Sequence, residues 1–383
     1  MGLKKKLLFG TVTVVLFLLV AEVGIALFAS REYRDARTYR GVDNSRALRL
    51  SHQFDPELGF MSKPHVDLLF DVEPSSFSVK TNSEGFRDDE ESLDQPEFLF
   101  LGDSFTFGWG VDQGYTCPDV FEELTGVKAL NMGVTGFGTI QDVLLLKRFC
   151  GIHDTKSTRV VVMAYVNDLT DNVNPTGLWP NIRKNGTQIL YVDPLEECYE
   201  CWFAVPRKPV PRMLSRLSYL TDLIGCAIAN FQQDDRRLGV NTDSWGASLG
   251  GERLNRFETF EYAVRDLMTF AAGRDLDITF CLIPSFLTYE DPEHKDDLED
   301  MKKILKNIGL PTIDLTQVLD RADYLQRDVH WSTSGHRAAA LEISRFLLSA
   351  EGDFTGRGGR GKPQESLEGE PRSSVPRSDP RSP

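Results

Sequence analysis

Five short apolar runs constrain this chain more than anything else in it: Phe98–Leu101, Val127–Asn131, Val160–Tyr165, Ile278–Ile283 and Thr312–Leu315. They are rich in β-branched and aromatic residues and lack polar alternation, as strands buried on both faces do. Helical patterns fill the spaces at Pro118–Leu124, Thr139–Cys150, Glu252–Ala272 and Pro292–Asn307. A last one runs over Gly335–Ser349, with Ser334 as its expected N-cap. Strands alternating with helices predict an α/β chain, a doubly wound three-layer α/β/α sandwich on a five-stranded parallel sheet. Such a sheet places ligands beyond the carboxyl ends of its strands.

The rest of the 383 residues divides around that core, which spans 95–350. Residues 31–94 read as a polar lead-in, poor in strands except for an alternating edge at Phe77–Thr81. The stretch 174–250 breaks the strand–helix rhythm and reads as an insertion beside the ligand-binding edge. Residues 351–383 are rich in Gly, Arg, Pro and Ser and are expected to be disordered. At the start, Lys4-Lys5-Lys6 precede an apolar stretch from Leu7 to Ala29, broken by Glu22. As one helix it is roughly 35 Å long, enough to cross a bilayer. Residues 1–30 are therefore expected to be a membrane anchor, the alternative being a cleaved export signal. In both cases the lysines stay inside and the remaining chain lies outside the cytoplasm.

Charge and composition exclude several classes. A net charge of −14 argues against nucleic acid as a partner, which needs clustered Lys and Arg. Cys198 and Cys201 form the one close cysteine pair, and no second pair stands at zinc-site spacing. The glycines of Gly133-Val-Thr-Gly136-Phe-Gly138 run in the wrong order for a dinucleotide loop. No cofactor or metal is called for.

The strand ends carry the chemistry. Gly102-Asp103-Ser104 follows the first apolar run and opens a turn into Phe105-Thr106-Phe107, where a serine hydroxyl is exposed beside helix N-terminal amides. Alone, Ser104 is also what a helix cap looks like. Asn131-Met132-Gly133 follows the second run, and the bare Gly133 lets a backbone N–H approach a developing oxyanion. Asn167, after the third run, offers a side-chain amide to the same oxygen, or simply an Asx-turn. Asp328-Val329-His330 lies between the last strand and last helix, so His330 can serve as base and Asp328 as its orienting acid. Asp320 and Asp323 are the fallback acids, because one intervening residue leaves little chain to fold the carboxylate back. His336 belongs to the final helix face.

In this order the four blocks resemble the SGNH (GDSL) hydrolase family, over about residues 95–350 with the insertion unmatched. The resemblance implies the flavodoxin-like fold of that family and a serine esterase. Ser104 would be nucleophile and backbone oxyanion donor, Gly133 and Asn167 the other donors, and His330 with Asp328 the rest of a triad. Two positions depart from the family pattern: Tyr165 stands where the third block has glycine, and the last block reads D-x-H rather than D-x-x-H. The shorter form is similar to the branch of alginate-type O-acetyltransferases. Expected functions are thus a membrane-anchored hydrolase of extracytoplasmic glycan or lipid esters, an O-acyltransferase using the same triad, or an anchored glycan-binding protein with a decayed site.

Overall fold

The structure is a computed structural model describing residues 11–13, 17–18, 20–25, 44–72, 75–155, 158–174, 178–185, 188–196, 199, 252–286, 293–325 and 328–349. From residue 44 the elements are α1 (Asn44–Ser51), β1 (His52–Asp55), β2 (Gly59–Ser62), β3 (Asp67–Val72), β4 (Ser75–Lys80), β5 (Phe98–Gly102), α2 (Ser104–Phe107) and α3 (Cys117–Thr125). Next come β6 (Ala129–Asn131), α4 (Thr139–Ile152), β7 (Arg159–Tyr165), α5 (Asp168–Asp171), β8 (Asn181–Asn185), β9 (Gln188–Val192) and β10 (Glu252–Arg253). The chain continues through α6 (Arg256–Ala272), β11 (Asp277–Ile283), α7 (Glu293–Ile308), β12 (Thr312–Asp314) and α8 (Thr333–Ser349).

The five expected strands form one parallel sheet in the order β12, β11, β7, β5, β6. Counted from β5, that is the doubly wound order 2-1-3-4-5, whose switch point lies between the first and third strands. Phe98 pairs with Ala129 on one side and Arg159 on the other, so β5 is central and its carboxyl end meets that switch point. Alternation along the strands feeds two cores. Leu99, Leu101, Val160 and Val162 pack with residues of α4, α6 and α7. Phe98, Phe100, Val161 and Met163 pack with residues of α3 and α8. Both faces are covered, which is why the strands read as unbroken apolar runs.

Two helix starts differ from expectation. Helix α6 begins at Arg256, because the Asn255 side chain accepts from the N–H groups of Phe257 and Glu258 while Glu258 caps back onto Asn255. Helix α8 begins at Thr333, and the Ser332 carbonyl accepts its first N–H, from His336 at 3.0 Å. Ser332 rather than Ser334 therefore occupies the cap position.

The lead-in is more structured than its polarity suggested. It holds two antiparallel hairpins, β1–β2 and β3–β4, and is not strand-poor. Its core residues Val66, Phe70, Phe77 and Val79 join Phe107 and Trp109 in a third cluster, so these hairpins brace the segment just after Ser104. The Arg148 guanidinium holds the first hairpin to α4 through Asp55 and Glu57 at 2.6 to 3.1 Å. In the insertion, β8 pairs with β9 and β10 as a small antiparallel sheet. Trp179 donates from Nε1 to the Gly136 carbonyl at 2.9 Å, bringing the start of the insertion to the loop after β6. Residues 200–251, with Cys201 and Cys226, lie outside the described residues, as do Cys198 and the expected tail at 351–383. Cys117, Cys150 and Cys281 are buried free thiols.

Near the amino terminus the helical residues expose Val12, Phe17, Leu18, Val20 and Val23. Among the described residues no helix is long and apolar enough to cross a membrane, and most of the expected 1–30 anchor lies outside them.

Candidate active site

The turn after β5 is built around glycine. Gly102 takes φ +146°, and a Cβ there would stand 2.4 Å from Thr106 Oγ1 and 2.6 Å from the Met163 carbonyl. Only a residue without a side chain lets the strand end so close to β7. Asp103 then caps α2, its Oδ1 accepting the Phe105 N–H at 2.9 Å, and Ser104 becomes the first helical residue. Its N–H is thus one of the donors a helix start leaves without an intrahelical partner.

His330 reaches this serine from 226 positions downstream, with Nε2 2.6 Å from Ser104 Oγ. Its Nδ1 lies 2.6 Å from Asp328 Oδ1. The same carboxylate oxygen also accepts the His330 backbone N–H at 3.2 Å. That second bond explains how one intervening residue suffices: the carboxylate folds over its own loop and grips backbone and ring together. The fallback acids do other work. Asp320 accepts the Ala322 N–H and Asp323 accepts the Asp320 N–H, closing a short 3-10 turn. Burial raises the Asp328 pKa, but hydrogen bonds from His330 outweigh it and hold the carboxyl below its ordinary value. Asp328 is therefore an anion at neutral pH, available to orient the ring and to stabilise it when charged.

Aromatic rings fix the imidazole. Its centroid lies 5.1 Å from Phe105 and 5.9 Å from Trp109. Ser104 is 8 % exposed, and the side chains of His330 and Asp328 15 % and 14 %, so the relay sits at the edge of water rather than in it. Tyr165, at the family's glycine position, packs its ring 4.6 Å from Phe105 and underpins the nucleophile turn. His336 is a core residue: its Nδ1 accepts the Cys117 N–H at 3.1 Å, and burial lowers its pKa to about 3.

The two expected oxyanion donors are each engaged in this state. The Gly133 N–H donates to Asn131 Oδ1 at 3.1 Å, so an oxyanion would have to share or displace that bond. The requirement for glycine here is instead steric, since a Cβ would lie 2.3 Å from the Phe107 nitrogen and 2.7 Å from Thr106 Cβ. Asn131 is itself placed by Asp88, whose Oδ2 accepts the Asn131 N–H at 2.8 Å. The Asn167 Nδ2 donates to Asp171 Oδ2 at 2.9 Å, and the same side chain also hydrogen-bonds toward Asp103, with which an oxyanion would compete. Gly133 and Asn167 follow the strands flanking β5, so the topology brings both loops beside Ser104.

Comparison with known proteins bears on this arrangement. Residues 287–372 match a family described as "SGNH hydrolase-like domain, acetyltransferase AlgX". This carboxyl-terminal segment is therefore similar to an SGNH hydrolase-like domain. The matched segment holds Asp328 and His330, while Ser104, Gly133 and Asn167 precede it. Among solved structures, a member of the lipolytic protein G-D-S-L family from Veillonella parvula is similar at 12 % identity and TM-score 0.36, over 64 % of this chain and 94 % of that one. A GDSL-like lipase from Bacteroides thetaiotaomicron is similar at 12 % identity and TM-score 0.37, over 68 % and 94 %. No curated protein matches.

Several residues that shape the site carry no signal in the sequence. Arg87 is fully buried and donates to the carbonyls of Phe107, Gly108, Val111 and Ser78 at 2.5 to 3.0 Å, tying the segment behind Ser104 to β4. Asp103, Asp142 and Asp168 are each 1 % exposed and come from separate elements. Burial pushes Asp103 up to about 6, and Asp142 and Asp168 well above the usual carboxylate range. Asp171 is raised to about 7 by burial and by the charge of Asp103, against the hydrogen bond from Asn167. Thr139 Oγ1 donates to Asp168 Oδ2 at 2.7 Å.

Proposed function

We propose that this chain is a serine acyl-ester enzyme that removes acyl groups from glycan or lipid esters outside the cytoplasm. The observation that carries the reading is the assembled relay, Ser104 Oγ to His330 Nε2 and His330 Nδ1 to Asp328, each link 2.6 Å. As Ser104 Oγ bonds to the ester carbonyl carbon, His330 Nε2 takes its proton and Asp328 stabilises the imidazolium. The carbonyl oxygen becomes an oxyanion facing the Ser104 N–H and the Asn167 amide, with Gly133 as a further donor if Asn131 yields. Nε2 then gives the proton to the departing alkoxide, leaving an acyl-serine and a free alcohol. In the second half water bonds to the acyl carbon, His330 takes its proton, and Ser104 leaves with that proton as the free acid departs.

A second reading replaces that water with a sugar hydroxyl, making an O-acyltransferase. The D-x-H spacing and the matched family's description as an acetyltransferase favour it. The relay is formed without substrate, which weighs against a decayed binding protein. An amino-terminal membrane anchor fits an extracytoplasmic glycan or lipid substrate, and the support for it is the lysine cluster before the apolar stretch Leu7–Ala29.

Product analysis separates the two enzymatic readings. The protein is incubated with p-nitrophenyl acetate, with and without an oligosaccharide acceptor. Hydrolysis releases acetate in step with nitrophenol whether or not the acceptor is there; transfer diverts acetyl to the sugar. Nitrophenol release by the Ser104→Ala variant at the wild-type rate would sink both readings.

A further inference from the structure

The Asn167 carboxamide is held in one orientation by a group outside the expected site. Its Nδ2 donates to Asp171 Oδ2 at 2.9 Å, while its Oδ1 is buried and receives no hydrogen bond among the described residues. The two ends of a carboxamide have nearly the same shape and opposite hydrogen-bonding character. Nothing on the Oδ1 side therefore selects this orientation. Turned over, Oδ1 would face a carboxylate oxygen at the same distance, and two acceptors repel. Asp171 makes the selection, with Asp103 drawing the same Nδ2 end toward the nucleophile turn, at the cost of leaving Oδ1 unpaired. The backbone reinforces it: the Asp171 N–H donates to the Asn167 carbonyl at 2.9 Å, closing the turn that carries both residues.

We propose that Asp171 is a positioning residue that fixes Asn167 with its Nδ2 end beside the nucleophile turn, so that the second Nδ2–H, directed toward Asp103 in this state, can turn to the oxyanion. This rests on reading Ser104 as the acylated nucleophile and Asn167 as an oxyanion donor. An ionised Asp171 only accepts and enforces the orientation. A protonated Asp171 donates its O–H to Oδ1 just as well as its other oxygen accepts from Nδ2, so both orientations are satisfied and the donor is no longer fixed. The orientation therefore loosens as pH falls through the Asp171 titration, which burial places near neutrality, at about 7. The groups around the pair are Asp103 from the turn after β5, Asp142 from α4 and Asp168 from α5 itself, with His330 acting on Asp103 from the last loop. Burial and then the charge of Asp103 raise Asp171, and on top of burial Asp103, Asp142 and Asp171 in turn raise Asp168, so the cluster shares the proton that Asp171 gains or loses.

The test is a double-mutant cycle read in kcat and KM with p-nitrophenyl acetate. Asn167→Ala alone is expected to lower kcat by about 10²- to 10³-fold. Asp171→Asn keeps the shape but presents a carboxamide that satisfies either orientation; it should lower kcat roughly 5- to 20-fold with KM within about 2-fold. In the Asn167→Ala background the same change should cost less than about 2-fold, because its route to the reaction is gone. The ratio of wild-type to Asn167→Ala kcat cancels whatever pH dependence the two enzymes share and should fall as pH is lowered from about 8 to about 5.5. That ratio needs no Asp171 variant, so it decides the matter even if Asp171→Asn fails to fold. Equal losses in both backgrounds, an unchanged kcat in Asp171→Asn, or a ratio independent of pH would overturn the proposal. Full activity in Ser104→Ala or Asn167→Ala would instead defeat the underlying reading, whatever Asp171 does.

Discussion

Asp328 supports His330 through one oxygen, and neutralising it is expected to slow the chemical step far more than any other isosteric change in the loop. Asp328→Asn keeps the size of the side chain and can still accept from the His330 N–H, but it loses the charge facing the imidazolium. With Nδ1 and Oδ1 2.6 Å apart, the centres of the two delocalised charges lie somewhat farther away. At ~3.5 Å and an effective dielectric of 20, the attraction is ~5 kcal/mol. Since each 1.36 kcal/mol is tenfold in rate, kcat should drop by about 10³- to 10⁴-fold if most of that attraction exists only in the transition state. The uncharged amide also presents an N–H toward the ring and favours the wrong tautomer, which acts in the same direction. The assay is steady-state release of nitrophenol from p-nitrophenyl acetate, with KM and Tm measured alongside. Asp320→Asn and Asp323→Asn are the controls and should stay within about 2-fold of wild type, because neither acid approaches the ring. An Asp328→Asn enzyme retaining a tenth or more of wild-type kcat would refute this assignment, and a large loss in Asp323→Asn would move the acid's role there.

Two further outcomes follow from packing and burial. Gly133→Ala puts a methyl 2.3 Å from the Phe107 nitrogen, where backbone must shift, and should cost about 2–3 kcal/mol in stability; a wild-type Tm would contradict the close approach. Asp88 and Asp171, raised to about 7, and Asp103, raised to about 6, hold protons in the folded chain that an unfolded chain has lost. Their contribution is complete below the unfolded value of about 4 and disappears as pH rises through the folded values. His52 and His336, held neutral by burial with values lowered to about 4 and about 3, oppose this at the acid end. Tm should therefore fall by only roughly 2–5 °C between about pH 5.5 and about pH 8, and a clear rise in Tm would count against the buried acids.

The central sheet is legible in the sequence because β5 and β6 are wholly buried and β7 and β11 are buried beyond their first residue, so local composition and tertiary environment agree. Strand β5 ends one residue later than its apolar run because Gly102 still pairs with Met163. The lead-in hairpins were not legible. Phe70, Phe77 and Val79 are sparse apolar residues among polar ones, and only Phe107 and Trp109, supplied from elsewhere, give them something to bury against. Helix α6 starts after Glu252 because the Asn255–Glu258 capping box, a pattern also present in the sequence, fixes its first turn. Ser104 and Asn167 stand out in the sequence because each follows a strand, and Asp328 and His330 because acid and base share one loop, where the structure brings both to Ser104. Gly133 was found for a reason that differs from its packing role. Asp103, Asp142, Asp168 and Asp171 each read as an ordinary acid in the chain; only the topology reveals that they are buried together.

Covalent labelling tests the nucleophile most directly. A fluorophosphonate should add once to the folded chain, with fluoride leaving as Ser104 Oγ bonds to phosphorus, and peptide mapping should place the adduct on the fragment containing Ser104. Labelling should vanish in Ser104→Ala and slow sharply in His330→Ala. An adduct on another residue, or a folded wild-type protein that takes up no label, would contradict the account.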